Sequence, residues 1–237
     1  MQLYINRKKP VVTYALAAAN AGLFAANLLC VLIFKQPVLT IYGAKQNALI
    51  LLFHQWWRLI TPMFLHGWVE YPITWAVMDD ALTHLLCNLA GLAALGTQCE
   101  SLMGRWRFLL IYFASGFLGC CASLGLTDAM SVGASGAIFG LFGALLVFRK
   151  THREVFRTAY GKVILFYLIL NVVFGFVMPG VDNFGHFGGL VGGFLACSAV
   201  GFYKQRGWAA KQTLFVLAYF VLAAALIGIA FLRFLAL

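Results

Sequence analysis

The sequence contains very little charge. Of its 237 residues 10% are charged and only 7 are acidic, whereas about a quarter of the residues in a soluble domain are charged. Hydrophobic residues make up 63% of the chain, more than a soluble core of this size could bury. The shortage of polar residues, together with 22 Phe, also excludes a disordered chain. We therefore expect a protein that lies in a membrane.

Cysteine and histidine are few, and no metal-ligand spacing relates them. The six Cys lie in or beside apolar stretches, so we expect buried small hydrophobic residues and not disulfides or ligands. His54, His66 and His152 are expected on loops without a chemical role, and we expect neither a metal nor a cofactor. A net charge of +10 indicates basic loops against anionic lipid, so the expected partner is the bilayer and not nucleic acid.

Uncharged runs long enough to cross a bilayer recur along the chain. A helix needs about 20 residues to cross a hydrocarbon core of about 30 Å. Seven runs of 18 to 24 residues meet this length, at 11–34, 81–98, 108–127, 129–148, 163–181, 183–203 and 212–232. The predicted fold class is an all-α membrane protein, a polytopic bundle of seven transmembrane helices.

The distribution of Lys and Arg predicts the orientation of these spans. Thirteen of the 17 basic residues fall on one side if the N-terminus is cytoplasmic, and five of the seven acids fall on the other. No transit-like leader precedes the first span, which favours a bacterial inner membrane over an organelle. Segment 35–80 holds four of the six Trp in uncharged runs too short to span, so we expect it in or on the outer leaflet, partly as amphipathic helix.

Three spans that enter from the outer face carry a polar residue near their start: His84, Ser135 and His186. An ionisable group inside a membrane span indicates function by default. A neutral His can take the proton of a Ser hydroxyl and make it a nucleophile. Ser135 would lie at a helix N-terminus, where free N–H groups stabilise an oxyanion, and Asn88, one turn after His84, could supply a further donor.

Each of these residues also has a structural interpretation. A single Ser in a membrane helix usually bonds its own backbone, and a single His or Asn often joins neighbouring helices. Small residues recur every four positions on the spans of Ser135 and His186, which lets two backbones approach closely. The packing glycines are Gly133, Gly136, Gly140, Gly189 and Gly193. Packing alone accounts for these glycines, but the polar residues at one depth together favour a catalytic site.

Several stretches resemble motifs of the rhomboid family of intramembrane serine proteases. Residues 133–140 resemble its nucleophile motif, 182–189 its general-base motif and 84–88 its oxyanion motif. Residues 57–58 and 61–66 resemble its first outer loop, and Glu100 with Gly104-Arg105 resembles the start of its third helix. The resemblance runs from about residue 56 to 200 in the family's order.

The resemblance implies a Ser135–His186 dyad without a third acid, so that Asp182 is a loop residue. It implies an oxyanion hole of the Ser135 backbone, His84 and Asn88, and cleavage of a single-pass membrane protein near its extracytoplasmic end. It also implies a six-plus-one arrangement: a cytoplasmic N-terminus 1–10, a catalytic core 11–203, and a linker with an extra span at 204–237. The natural substrate and the oligomeric state stay open.

The sequence departs from the family pattern at three places. Residues 67–83 form a longer insertion in the outer loop, Cys87 stands where a Phe is common, and Phe139 stands where some members stack a Tyr on the base. The main alternative is a catalytically silent rhomboid-like factor that binds or escorts membrane proteins, although such relatives usually lack the Ser or the His. A transporter is a more distant alternative, because no Asp or Glu lies inside the seven runs.

Overall fold

The structure is a computed structural model that describes residues 8–67, 75–157, 159–178, 180–202 and 210–236. Within these ranges the only β pairing is an isolated antiparallel bridge between Lys45 and Ser131. The predictions for the first seven residues of segment 1–10, for residues 68–74 of the insertion 67–83 and for residues 204–209 of the linker 204–237 lie outside the described residues.

Helices and short turns account for most of the described chain. The α-helices found there are α1 (Val11–Phe34), α2 (Val38–Gly43), α3 (Asn47–Leu51), α4 (Trp75–Gly91), α5 (Thr97–Met103), α6 (Arg105–Leu126), α7 (Ser135–Thr151), α8 (Arg153–Arg157), α9 (Ala159–Val177), α10 (Asn183–Val200) and α11 (Ala210–Leu235). A π-helical turn at Leu92–Gly96 joins α4 to α5, and 3₁₀ turns occur at Trp56–Leu59 and Thr61–Phe64. Each of the seven predicted spans overlaps one of the longer helices.

Several predicted span boundaries are wrong by a few residues, and the starts of α7 and α4 differ most. Helix α7 begins at Ser135 and not at residue 129, because Ser131 pairs with Lys45 and Gly133 has a φ of 126° that a helix does not allow. Helix α4 begins at Trp75 and not at residue 81, so the outer segment ends before residue 80. The predicted span began after Asp80 because only uncharged residues were counted. The helix includes Asp79 and Asp80, since carboxylates are tolerated near a helix N-terminus.

The fold is an all-α polytopic membrane bundle, with six helical spans in its core and α11 as a seventh, C-terminal one. Among the described residues, α1, α6 and α11 are long and apolar enough to cross a membrane by themselves. Within the apolar stretch 17% of the residues are buried in α1 and in α11, against 67% in α6. Helix α6 is therefore central, while α1 and α11 present most of their apolar surface outward.

The centre of the bundle is built from α6, α7 and α10. Helix α10 packs against both of the others along its glycines. A methyl group at Gly189 would overlap the carbonyl of Gly136, and one at Gly193 would overlap the carbonyl of Gly140. The two backbones are thus in direct contact, which brings the start of α7 next to the start of α10.

The outer segment between α1 and α4 folds over the same end of the bundle. Arg58 is buried there, and its guanidinium donates to the carbonyls of Ala44 at 2.7 Å and Ile41 at 2.8 Å. Trp56 and Trp57 stay exposed, as expected of residues at a membrane interface. The two α-helices of this outer segment, α2 and α3, have only six and five residues.

The prediction that all six cysteines are buried is wrong for Cys87. Cys99, Cys121 and Cys197 are buried, whereas Cys87 is exposed on α4. Leu86 beside it is 55% exposed, so this face of α4 points away from the bundle. Apolar side chains on such a face suit a lipid environment, where burial against protein is not required.

Candidate active site

Ser135 is the first residue of α7, at the end of the loop that leaves α6. Gly133, two residues earlier, takes a φ of 126°, which L side chains rarely adopt, so glycine is needed here. Its N–H donates to the carbonyl of Pro62 at 2.9 Å and fixes the loop to the outer segment. Because the first N–H groups of a helix lack intrahelical acceptors, Ser135 lies among free backbone donors.

His186 lies in the first turn of α10, which begins at Asn183. Asp182 is the N-cap of this helix, and its Oδ1 accepts a hydrogen bond of 2.8 Å from the N–H of Gly185. The carboxylate therefore stabilises the helix start that carries His186.

Ser135 and His186 are 51 positions apart in sequence, yet Ser135 Oγ lies 2.8 Å from His186 Nε2. The ring of Phe139 stacks on the imidazole, with ring centres 4.2 Å apart and planes 10° from parallel. Nδ1 of His186 is buried and has no hydrogen-bond partner among the described residues. The histidine is thus oriented by the serine and by ring stacking, in a geometry that allows proton transfer from the hydroxyl.

The other two predicted site residues lie on α4. A methyl group at Gly133 would lie 2.8 Å from Nε2 of His84 and 3.6 Å from Oγ of Ser135, so the His84 ring borders the serine. Asn88 is buried one turn further along, and its Nδ2 donates to the carbonyl of His84 at 2.9 Å. Its Oδ1 has no partner among the described residues. The structure thus brings His84 beside the Ser–His pair and leaves Asn88 bonded to its own helix.

His66 is a neighbour of the site that sequence reasoning missed. It is only 1% exposed, and its ring meets that of His84 edge-on, with centres 5.2 Å apart. Burial, with a smaller contribution from His84, lowers the pKa of His66 to about 3, so this ring is neutral at neutral pH. His66 belongs to the stretch Thr61–His66, which resembles the first outer loop of the family, and this was the only indication of a role. Nothing in the sequence indicates that the side chain is buried.

A small cavity adjoins the Ser–His pair. Its volume is about 30 Å³, and its lining includes Ser131, Gly133, Ser135, Asp182 and His186. One water needs roughly 10–15 Å³ and two or more polar partners, both of which this cavity offers. The site can therefore hold a water next to the serine, as hydrolysis requires.

A bundle of membrane helices that holds a hydrogen-bonded serine and histidine beside a water-sized cavity has the features of a membrane-embedded hydrolase site. The family comparison gives the same class. A family model described as the Rhomboid domain matches residues 53–203, which include every predicted site residue. The chain belongs to the rhomboid family.

Three relatives illustrate this membership. Rhomboid protease GluP of Bacillus subtilis is 39% identical over 83% of this chain and 36% of its own length. Putative rhomboid protease YdcA of the same organism is 33% identical over 80% of this chain and 87% of its own length. RHOMBOID-like protein 7 of Arabidopsis thaliana is 37% identical over 67% of this chain and 47% of its own length. The chain thus spans less than half of GluP and of the plant protein.

Proposed function

We propose that the chain is an intramembrane serine endopeptidase with Ser135 as nucleophile and His186 as general base. The observation that carries the proposal is the 2.8 Å separation of Ser135 Oγ and His186 Nε2. This lies within the roughly 2.6–3.2 Å expected of a nucleophile and its base. Membership of a family whose matched bacterial relatives are named proteases supports the same conclusion.

The proposed reaction has two steps, acylation of Ser135 and hydrolysis of the acyl ester, and His186 carries the proton in both. Ser135 Oγ attacks the scissile carbonyl while its proton moves to His186 Nε2, and the carbonyl becomes an oxyanion. The C–N bond then breaks, and His186 returns the proton to the leaving amine. A water next to the serine attacks the acyl ester in the same way, with His186 as base, and releases the acid and free Ser135.

The oxyanion is proposed to bind the backbone N–H of Ser135 together with His84 and Asn88. His84 and Ser135 both lie beside Gly133, and an imidazole ring carries at least one N–H donor. In the free enzyme Asn88 donates one of the two N–H groups of its side-chain amide to the carbonyl of His84, which leaves the second for the oxyanion. Such donors stabilise the transition state more than the substrate.

If Asn88 joins the oxyanion hole, Asn88→Ala lowers kcat by roughly 10²–10³-fold without abolishing cleavage. Asn171→Ala is the matched control, because Asn171 also donates Nδ2 to a carbonyl four residues earlier, at 2.8 Å, but lies on α9. An unchanged kcat in Asn88→Ala would remove this residue from the oxyanion hole.

The proposed substrate is the transmembrane helix of a single-pass membrane protein, taken up from the bilayer. A helix in lipid hides its carbonyls in its own hydrogen bonds, so the segment to be cut must unwind locally before attack. The site lies at the end of the bundle where α7 and α10 begin, so cleavage is expected near one membrane face. The charge asymmetry predicts that this face is extracytoplasmic, in a bacterial inner membrane with the N-terminus in the cytoplasm.

Cleavage of a single-pass reporter protein in proteoliposomes tests the proposal. The wild type should cut the reporter near the membrane face at which Ser135 lies, and Ser135→Ala should not. Equal cleavage by both proteins would contradict the proposal. Absence of cleavage by the wild type, with the uncut reporter retained on both proteins, would instead support the escort alternative.

A further inference from the structure

The loop from Thr127 to Ala134 connects α6 to the nucleophile, and it lines the cavity beside Ser135 through Ser131, Val132 and Gly133. Apart from the Gly133 contact with Pro62, its position depends on three polar side chains from other parts of the chain. These side chains are Lys45, Asn47 and Arg233. None of them belongs to the dyad or to the proposed oxyanion hole.

Lys45 makes the most extensive contact with this loop. Its Nζ donates to the carbonyl of Ala129 at 2.8 Å and to that of Thr127 at 3.2 Å. Its backbone pairs in both directions with Ser131, with N···O distances of 3.0 and 3.2 Å. The residue is 0% exposed, and no ion pair within 4.0 Å involves it among the described residues. A buried ammonium without a carboxylate partner is costly, so its two carbonyl contacts must matter to the fold or to the site.

Asn47 and Arg233 hold the beginning of the same loop. Asn47 Nδ2 donates to the carbonyls of Leu124 and Thr127 at 3.1 and 3.0 Å. Arg233, near the end of α11, donates to the carbonyl of Gly125 at 2.9 Å and pairs with Asp128 at 2.9 Å. Cations at the C-terminus of a helix stabilise its free carbonyls, so Arg233 and Lys45 also stabilise the end of α6.

We propose that Lys45 is a positioning residue for the reaction: its ammonium fixes Thr127 and Ala129, and the loop thereby places Ser135 against His186 and the cavity. This inference rests on the proposed protease function. The outer segment then contributes to catalysis because Lys45 holds the loop in place, and not because it contacts substrate. Arg233 of α11 supports the same loop to a smaller extent, because its side chain is more exposed than that of Lys45.

The charge of Lys45 makes this role dependent on pH. Burial lowers the pKa of Lys45 to about 8, against the opposing effect of nearby carboxylates. The titratable and charged groups that face it are Asp182, Cys120, Asp128 and Arg233. Below about pH 8 the ammonium makes charge-assisted hydrogen bonds, which are about twice as strong as those of the neutral amine formed above that pH. The reactivity of Ser135 should therefore fall as the pH rises through about 8.

The rate of covalent labelling of Ser135 by a fluorophosphonate, measured from pH 6 to 10, tests the inference without a natural substrate. Lys45→Met keeps most of the length of the unbranched side chain and removes the charge. It should lower the labelling rate about 10- to 100-fold, a loss typical of a misplaced nucleophile. With a reporter substrate, kcat should fall by a similar factor and KM should change little. Lys35→Met is the matched control, because the Nζ of Lys35 is exposed and bonds only Leu32 of its own helix among the described residues.

Lys45→Arg provides a second test that does not depend on a disruptive change. An arginine stays charged throughout this pH range, so the fall in labelling above about pH 8 should disappear. If the wild type labels but Lys45→Met labels equally fast, or if the wild-type rate does not fall above about pH 8, the positioning role is wrong. A wild type that does not label at any pH would instead contradict the proposed function.

Discussion

Asp182 lies four residues before His186, at a distance in sequence where a third catalytic acid could be suspected. Its Oδ1 instead accepts from the N–H of Gly185, while Nδ1 of His186 has no hydrogen-bond partner among the described residues. The carboxylate therefore caps the helix and does not hydrogen-bond the imidazole. The proposed site is thus a dyad, and stacking on Phe139 orients the imidazole of His186.

If Asp182 only caps the helix, replacing it should change the stability of the protein but not the reactivity of Ser135. Asp182→Ala removes the cap and should lower the free energy of unfolding by about 0.5–2 kcal/mol, while the fluorophosphonate labelling rate changes by less than about tenfold. Asp182→Ser should restore most of the stability, because a serine can also cap the helix. Thermal unfolding and labelling of the three proteins provide the measurement. A loss of about 10⁴-fold in rate for both variants would indicate a triad instead.

The residue types of the dyad could be predicted because polar groups are rare in membrane spans. Ser135 and His186 are polar residues in apolar surroundings, and the family resemblance implies the roles proposed for them. Lys45 and His66 could not be recognised in this way, because a polar residue in a loop is ordinary. Their importance comes from burial, which depends on how the outer segment folds over the bundle.

At the scale of helices, the contact between α7 and α10 determines the distance between Ser135 and His186. The carbonyls of Gly136 and Gly140 lie where side chains of Gly189 and Gly193 would have to be. Such close approach is possible only for glycine, and no flexible side chain is available there to move aside. The distance between Ser135 and His186 is thus set by the packing of two helix backbones.

Gly189→Val should therefore prevent correct packing of α10 on α7 and abolish labelling of Ser135. Overpacking a core commonly costs about 1–3 kcal/mol, and a clash with backbone exceeds the usual case. Gly228→Val is the matched control, since nothing lies within 4 Å of a side chain at that position in α11. Labelling and thermal unfolding distinguish the two variants. Normal activity of Gly189→Val would mean that this glycine does not set the spacing.

The positions of the seven spans were predictable from hydropathy, but the exact start of α7 was not. Residues 129–134 are as apolar as a membrane helix, so composition cannot distinguish them from one. The structure keeps them out of the helix through the Lys45–Ser131 bridge and the positive φ of Gly133. Both features depend on contacts with the outer segment, which lies more than 60 residues earlier in the chain.

At the scale of the whole molecule, glycine-rich helices form the interior and apolar helices surround them. This order is the one that a membrane favours, because apolar side chains can face lipid while small residues allow helices to pack. Helix α11 adds to this arrangement by bonding to α6 through Tyr219, whose hydroxyl donates to the carbonyl of Ala114 at 2.8 Å. The polar site lies at one end of this otherwise apolar bundle, where α7 and α10 begin.

The central claim is that Ser135 is activated by His186, and fluorophosphonate labelling of the purified protein in detergent tests it most directly. The wild type should label, Ser135→Ala should not, and His186→Ala should label at least about a thousandfold more slowly. Ser101→Ala and His54→Ala, which change a serine and a histidine away from the site, should label normally. Unreduced labelling of Ser135→Ala or His186→Ala would contradict the dyad, and so would a folded wild type that does not label.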